Sequence, residues 1–151
     1  MVVAPGPGWK VKIGDFGISK RRQQDVTSLH TLQRGTLGYA APEVLGFGAR
    51  NAVSTSYTSS VDIWSLAAIT YRLLTGVVAF PNVADIILYA TGNSPFPSEA
   101  LETYNVSEEG QAFVKKLMLS VPRERPSAKL ATEEPWLKVG LDNAGVGGDG
   151  P

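Results

Sequence analysis

The chain has 151 residues, with 14 Lys+Arg balanced by 14 Asp+Glu, no Cys, and 43% hydrophobic residues. A length of this order suits one domain burying ~70% of its unfolded surface, and zero net charge gives no electrostatic reason to expect nucleic acid or an anionic membrane as partner. Without Cys there is no disulfide framework, no Cys-bound zinc and no thiol nucleophile, which fits a reducing compartment.

At the start, Met1-Val2-Val3-Ala4 runs into Pro5-Gly6-Pro7-Gly8, which offers neither a basic leader nor an apolar signal segment. Val2-Val3 and Val11-Lys12-Ile13 flank this Pro/Gly cluster and predict two small strands joined by a turn. From Ser19 to Arg34 the chain is polar and without period, and a loop of that length is expected to be functional or disordered. Ser59, with Asp62 three residues on, resembles a capping box. It opens a helix whose apolar residues continue to Leu74 and stop at Gly76.

In that helix Val61, Ile63, Trp64, Leu66, Ile69, Tyr71 and Leu73 surround the axis, the pattern of a helix inside the core. Asp62 and Arg72 interrupt the run, which falls short of the ~20 apolar residues a membrane-spanning helix needs. Asn82 caps an expected helix over Val83 to Ala90. Ser107 starts another, with Glu108 and Glu109 in its first turn, Lys115 and Lys116 later, and Pro122 as its end. Ser127 caps a last short helix toward Leu130, and Glu134-Pro135-Trp136-Leu137 closes the apolar pattern. Residues 139–151 are Gly-rich and too poor in apolar area to offset the entropy of ordering them, so a flexible tail is expected.

Chemistry-bearing residues cluster at both ends of the polar loop. Before it stands Gly14-Asp15-Phe16-Gly17; after it comes Gly35-Thr36-Leu37-Gly38-Tyr39-Ala40-Ala41-Pro42-Glu43. Further on come Asp62-Ile63-Trp64-Ser65-Leu66, Leu73-Leu74-Thr75-Gly76, Phe80-Pro81 and Arg123-Glu124-Arg125-Pro126, followed by Pro135-Trp136-Leu137. In this order the motifs resemble the activation segment and later helices of a eukaryotic serine/threonine protein kinase. The resemblance covers Val2 to about Leu137. It implies a mainly α fold: a partial kinase C-lobe with a short N-terminal β-hairpin, an activation segment over 15–43, a helical remainder over 44–138, and the tail over 139–151.

Roles follow position by position from the resemblance. Asp15, with Phe16 and Gly17, is similar to the aspartate that holds magnesium on the nucleotide phosphates, a suitable oxygen ligand for a hard cation. Gly35, Thr36, Leu37, Gly38 and Tyr39 resemble the loop seating the residue after the phosphoacceptor, in its serine/threonine-kinase form. Thr27, Ser28 and Thr31 stand where relatives are phosphorylated, with Thr31 preferred for its spacing before Gly35-Thr36. Each also reads as a plain solvated loop residue. Glu43 and Arg125 resemble a buried architectural ion pair, Asp62 the core-helix aspartate that anchors the catalytic-loop backbone, and Trp64 a core residue. Ala67 stands where relatives commonly have Gly. Lys20-Arg21-Arg22 is too short for a basic cluster, and His30 has no second ligand with which to form a metal site.

Only fourteen residues precede Asp15, and they contain no glycine-rich loop, no phosphate-binding Lys and no H-R-D-x-x-x-x-N. The resemblance therefore implies magnesium and ATP for the intact family, but no productive binding or transfer by this chain alone. Exposed apolar surface is expected where earlier helices would cover the core helix. The expected partners are a protein substrate or complementary kinase segments; a non-catalytic binding module and a non-functional fragment are the alternatives. The expected location is the cytoplasm, with the nucleus left open.

Overall fold

A computed structural model describes residues 2–4, 10–12, 37–47 and 59–138. Strand β1 (Val2–Ala4) pairs antiparallel with β2 (Lys10–Val11), Val2 opposite Val11 and Ala4 opposite Lys10, with an irregularity between. The polar loop, its candidate phosphosites Thr27, Ser28 and Thr31, the Lys20-Arg21-Arg22 run, His30 and the tail over 139–151 lie outside the described residues.

The long helix forms as α1 (Ser60–Thr75). Gly76 closes it in the left-handed region (φ 74), which glycine enters without a Cβ penalty, and its N–H donates to the Arg72 carbonyl at 2.7 Å. The other end corrects the capping-box expectation. Ser59 has helical dihedrals (φ −57, ψ −10) and its side chain accepts no capping bond, so Asp62 contributes charge near the helix N-terminus without reciprocal capping.

Burial of α1 is also one-sided. Ile63, Trp64, Ala67, Ala68, Tyr71 and Thr75 are buried, whereas Leu66, Ile69 and Leu73 are exposed, Leu73 at 80%. The helix expected from its all-round apolar pattern to lie inside the core is covered on one face among the described residues, and the apolar side chains of its other face form the exposed surface expected where earlier helices would cover it. Ala67 and Ala68 are small enough for neighbouring elements to approach the axis closely.

Asn82 accepts from the Asp85 N–H (3.0 Å) and caps α2 (Val83–Ala90), where fully buried Ile86 points into the core. A short helix absent from the sequence reading, α3 (Glu99–Thr103), follows and inserts Leu101. Ser107 then caps α4 (Glu108–Leu117) through the Gly110 N–H at 3.2 Å, and Phe113, Val114 and Leu117 form its inward stripe against α1. Each fully buried aliphatic side chain of this kind contributes about 1.5–3 kcal/mol.

Helix α4 stops at Leu117, before Pro122. The Met118 carbonyl accepts from the Tyr89 hydroxyl (2.9 Å), and Pro122, four residues on, has no N–H with which to compete. The Leu119 carbonyl turns toward Arg125 (2.7 Å). Pro122 instead opens a 3-10 turn over Pro122–Glu124, where its missing donor costs nothing. Ser127 caps α5 (Ala128–Thr132), accepting from the Leu130 N–H at 3.3 Å, and a last helical turn over 135–138 brings Trp136 against Phe113, with ring centroids 5.2 Å apart.

Candidate functional site

Residues 37–47 form a compact strap beside α1. A 3-10 turn over Leu37–Tyr39 leads into consecutive turns held by backbone bonds such as Phe47 N–H to the Pro42 carbonyl at 2.8 Å. Gly38 is required by a close approach: a Cβ there would lie 3.2 Å from the Phe80 carbonyl oxygen and 3.5 Å from the Val78 Cβ. One residue on, the Tyr39 carbonyl accepts from the Ser65 hydroxyl of α1 (3.0 Å). Ala41 and Pro42 are then buried, which delivers Glu43 to the interior edge.

There Glu43 meets Arg125, 82 positions away in the chain. Nη1 donates to Oε1 at 2.6 Å and Nη2 to Oε2 at 2.8 Å, a two-pronged contact of matched planar groups. The Arg125 side chain is fully buried and that of Glu43 is 19% exposed. The remaining donors go to carbonyls: Nε to Leu119 (2.7 Å), Nη1 to Ser60 (2.9 Å) and Nη2 to Ser120 (3.4 Å). All five guanidinium N–H groups are therefore used, the condition under which a buried cation is tolerated.

One side chain thereby ties together the strap, the start of α1 and the segment after α4. The guanidinium also lies over the Trp64 ring, 5.0 Å from its centroid. Trp64 stacks on Phe80 at 5.8 Å and touches Tyr89 at 6.2 Å. Its buried Nε1–H finds no hydrogen-bond acceptor among the described residues.

Tyr89 and Tyr71 complete this aromatic wall. Burial raises the Tyr71 hydroxyl above its ordinary pKa of 10.0 and Glu99 adds to the rise, while the hydroxyl donates to the Pro97 carbonyl at 2.8 Å. Burial raises Tyr89 as well, partly offset by the Arg125 charge. Beside the strap, Tyr39, Ile69, Arg72, Leu73 and Gly76 line an open hollow of about 490 Å³.

The structure brings together Gly38, Tyr39, Glu43, Trp64 and Arg125 of the residues singled out in the sequence. Asp62 stands apart, exposed in the first turn of α1 with no side-chain hydrogen bond among the described residues. Asp15, Phe16, Gly17, Gly35 and Thr36 lie outside the described residues, as does the side chain of Leu37. No group of three His, Cys, Asp or Glu among the described residues could hold a metal ion. Sequence reasoning missed two participants. Ser65 was visible only as part of the Asp62-to-Leu66 run, and Arg72 only as an interruption of an apolar stretch.

Comparison with known proteins gives a consistent picture. Residues 4–137 match the protein kinase domain family. The serine/threonine-protein kinase RAD53 of Saccharomyces cerevisiae is 34% identical over 137 residues, 85% of this chain and 16% of that protein. Serine/threonine-protein kinase cds1 of Schizosaccharomyces pombe is 34% identical over 127 residues, 83% of this chain and 27% of its own. Among solved structures, the Rad53 kinase domain with SCD2 in complex with AMPPNP aligns at TM-score 0.53 and 32% identity, covering 68% of this chain and 39% of that one. The chain thus spans well under half the length of these relatives. No helix among the described residues is long and apolar enough to cross a membrane.

Proposed function

This chain belongs to the protein kinase domain family, on the serine/threonine side, and on that premise we propose that the protein carrying it transfers the γ-phosphate of ATP to serine and threonine hydroxyls of protein substrates. The observation that carries the reading is the strap over 37–43, fastened to α1 by Ser65 and to the far side of the helical body by the Glu43–Arg125 pair. Positioning is the main service a protein renders in phosphoryl transfer, and a substrate-facing strap must hold its shape to render it.

Within this reading the segment over 15–43 is the activation segment, and the kinase portion extends over 1–138. Gly35, Thr36, Leu37, Gly38 and Tyr39 face the residue after the phosphoacceptor, and Thr27, Ser28 and Thr31 are the hydroxyls open to activating phosphorylation. Magnesium would fall to Asp15, whose carboxylate suits it; the bound ion and nucleotide supply the phosphoryl group and screen its charge. The protein partners are a substrate or the complementary segments of a kinase domain. Those segments bear on activity, because the chain's 151 residues contain no glycine-rich loop and no H-R-D-x-x-x-x-N motif.

The test is to incubate the full-length gene product with magnesium and γ-labelled ATP beside peptides offering Ser, Thr or Tyr. Label on Ser and Thr is expected, and label confined to Tyr would contradict the reading.

A further inference from the structure

A finer assignment rests on that kinase reading and comes from the linker that carries the chain from α1 to α2. The strap is gripped from two sides. Ser65 of α1 holds the Tyr39 carbonyl at 3.0 Å, and one residue earlier Gly38 lies against the linker. A Cβ on Gly38 would stand 3.2 Å from the Phe80 carbonyl oxygen and 3.5 Å from the Val78 Cβ, so no slack separates the two segments. In packing this close, a small displacement of the linker is passed to the turn over Leu37–Tyr39.

Thr75 sets where that linker runs. It is the last residue of α1 and, with Arg125, one of the two buried polar side chains among the described residues. Its hydroxyl donates to the Tyr71 carbonyl at 2.8 Å and accepts from the Val77 N–H at 3.3 Å. The Val77 carbonyl lies 3.2 Å from the same oxygen, but a hydroxyl has one hydrogen and the nearer acceptor takes it. Bonding back to a carbonyl four residues earlier is ordinary for a helical threonine. The forward bond is different: it spans Gly76, where the backbone turns through φ 74, and fixes the first residue of the linker. At the other end of the linker Phe80 is held by its stack on Trp64.

We propose that Thr75 is a positioning residue for the peptide substrate: its hydroxyl fixes Val77, the linker over 77–80 then supports the strap at Gly38, and the strap seats the substrate. The chain of contacts runs through backbone and small side chains, which have little freedom to absorb a shift.

The test compares the full-length gene product with Thr75→Val, which keeps the shape and removes the hydroxyl, and with Thr75→Ser, which restores it. Peptide KM, ATP KM and kcat are read from label transfer, and hydrogen exchange over residues 37–45 is read by mass spectrometry. Thr75→Val is expected to raise peptide KM and strap exchange about three- to tenfold, the worth of about one net hydrogen bond, with ATP KM unchanged. Thr75→Ser is expected to stay near wild type. Val114→Ala, a core substitution in α4, is expected to lower the denaturation midpoint without moving peptide KM. Unchanged peptide KM or strap exchange in Thr75→Val, an equal effect in Thr75→Ser, or the same KM rise in Val114→Ala would overturn the assignment. If Thr75→Val fails to fold by circular dichroism, Gly38→Ala probes the same contact from the strap side, and an unchanged peptide KM there is equally fatal. The two ideas fail separately: transfer with an undisturbed strap removes the Thr75 role and leaves the kinase reading, whereas a loosened strap without any transfer removes the kinase reading and the substrate role that rests on it.

Discussion

Replacing Arg125 with Ala perturbs the molecule at its most connected point. The substitution strips two charge-assisted bonds from Glu43 and removes the donors to the Leu119, Ser60 and Ser120 carbonyls. It leaves a carboxylate that is only 19% exposed without its cation and opens a void over the Trp64 ring. Breaking a buried pair from one side costs about 3–5 kcal/mol, and the partial exposure of Glu43 places the expected loss toward the lower end. Against a total stability of about 5–15 kcal/mol, that is enough to leave much of the population unfolded at modest urea. The assay is urea denaturation followed by circular dichroism at 222 nm, on Arg125→Ala, Glu43→Gln and the double variant. Glu43→Gln retains the shape and one acceptor and should cost about half as much, near 1.5–2 kcal/mol. The cycle should return a coupling of about 1–3 kcal/mol. A loss below about 1 kcal/mol in Arg125→Ala would refute the claim that this pair fastens the strap to the helical body.

Other consequences are smaller and equally definite. Trp64→Phe keeps the stack on Phe80 while removing an Nε1–H that has no acceptor among the described residues, so it should cost under about 1.5 kcal/mol, whereas Trp64→Ala should cost about 3–5, both read from denaturation midpoints. Gly110→Ala would set a Cβ 2.9 Å from the Val106 Cγ1 and 3.0 Å from the Trp136 Nε1, and overpacking of that kind should cost about 1–3 kcal/mol. Tyr71 and Tyr89 have folded pKa values raised above 10.0, so the folded chain holds their protons longer than the unfolded chain. Their stabilisation is complete below pH 10.0 and lost as pH rises through the raised values; Tyr71→Phe should flatten the alkaline limb of a stability–pH profile. Leu73→Gln, at a site 80% exposed, should reduce dye binding and self-association with under about 0.5 kcal/mol change in stability.

Helix starts were legible where a capping side chain stood directly before a run of helix formers. Asn82, Ser107 and Ser127 all accept the backbone N–H that their position predicts. Ser59 looked the same in the sequence, but its backbone is already helical, so its hydroxyl is not placed to cap. Helix α3 escaped because five residues give no measurable period, and its anchor, Leu101, is its one buried residue. The end of α4 lies earlier than Pro122 alone marks: the Met118 carbonyl, which has no N–H at Pro122 to meet, accepts from Tyr89, and the Leu119 carbonyl accepts from Arg125. No periodicity joins Glu43 to Arg125; only the family resemblance suggested looking for their contact. The hollow at Arg72 depends on which face of α1 stays uncovered, and an apolar pattern around the whole circumference does not encode that.

The most direct test of the account is transfer of label from γ-labelled ATP by the full-length gene product, with and without magnesium, in wild type and in Asp15→Ala. The account predicts magnesium-dependent labelling of serine and threonine that falls to background in Asp15→Ala, while the circular dichroism spectrum is unchanged. Labelling that persists in the folded Asp15→Ala protein, or no labelling in the folded wild type, would contradict it.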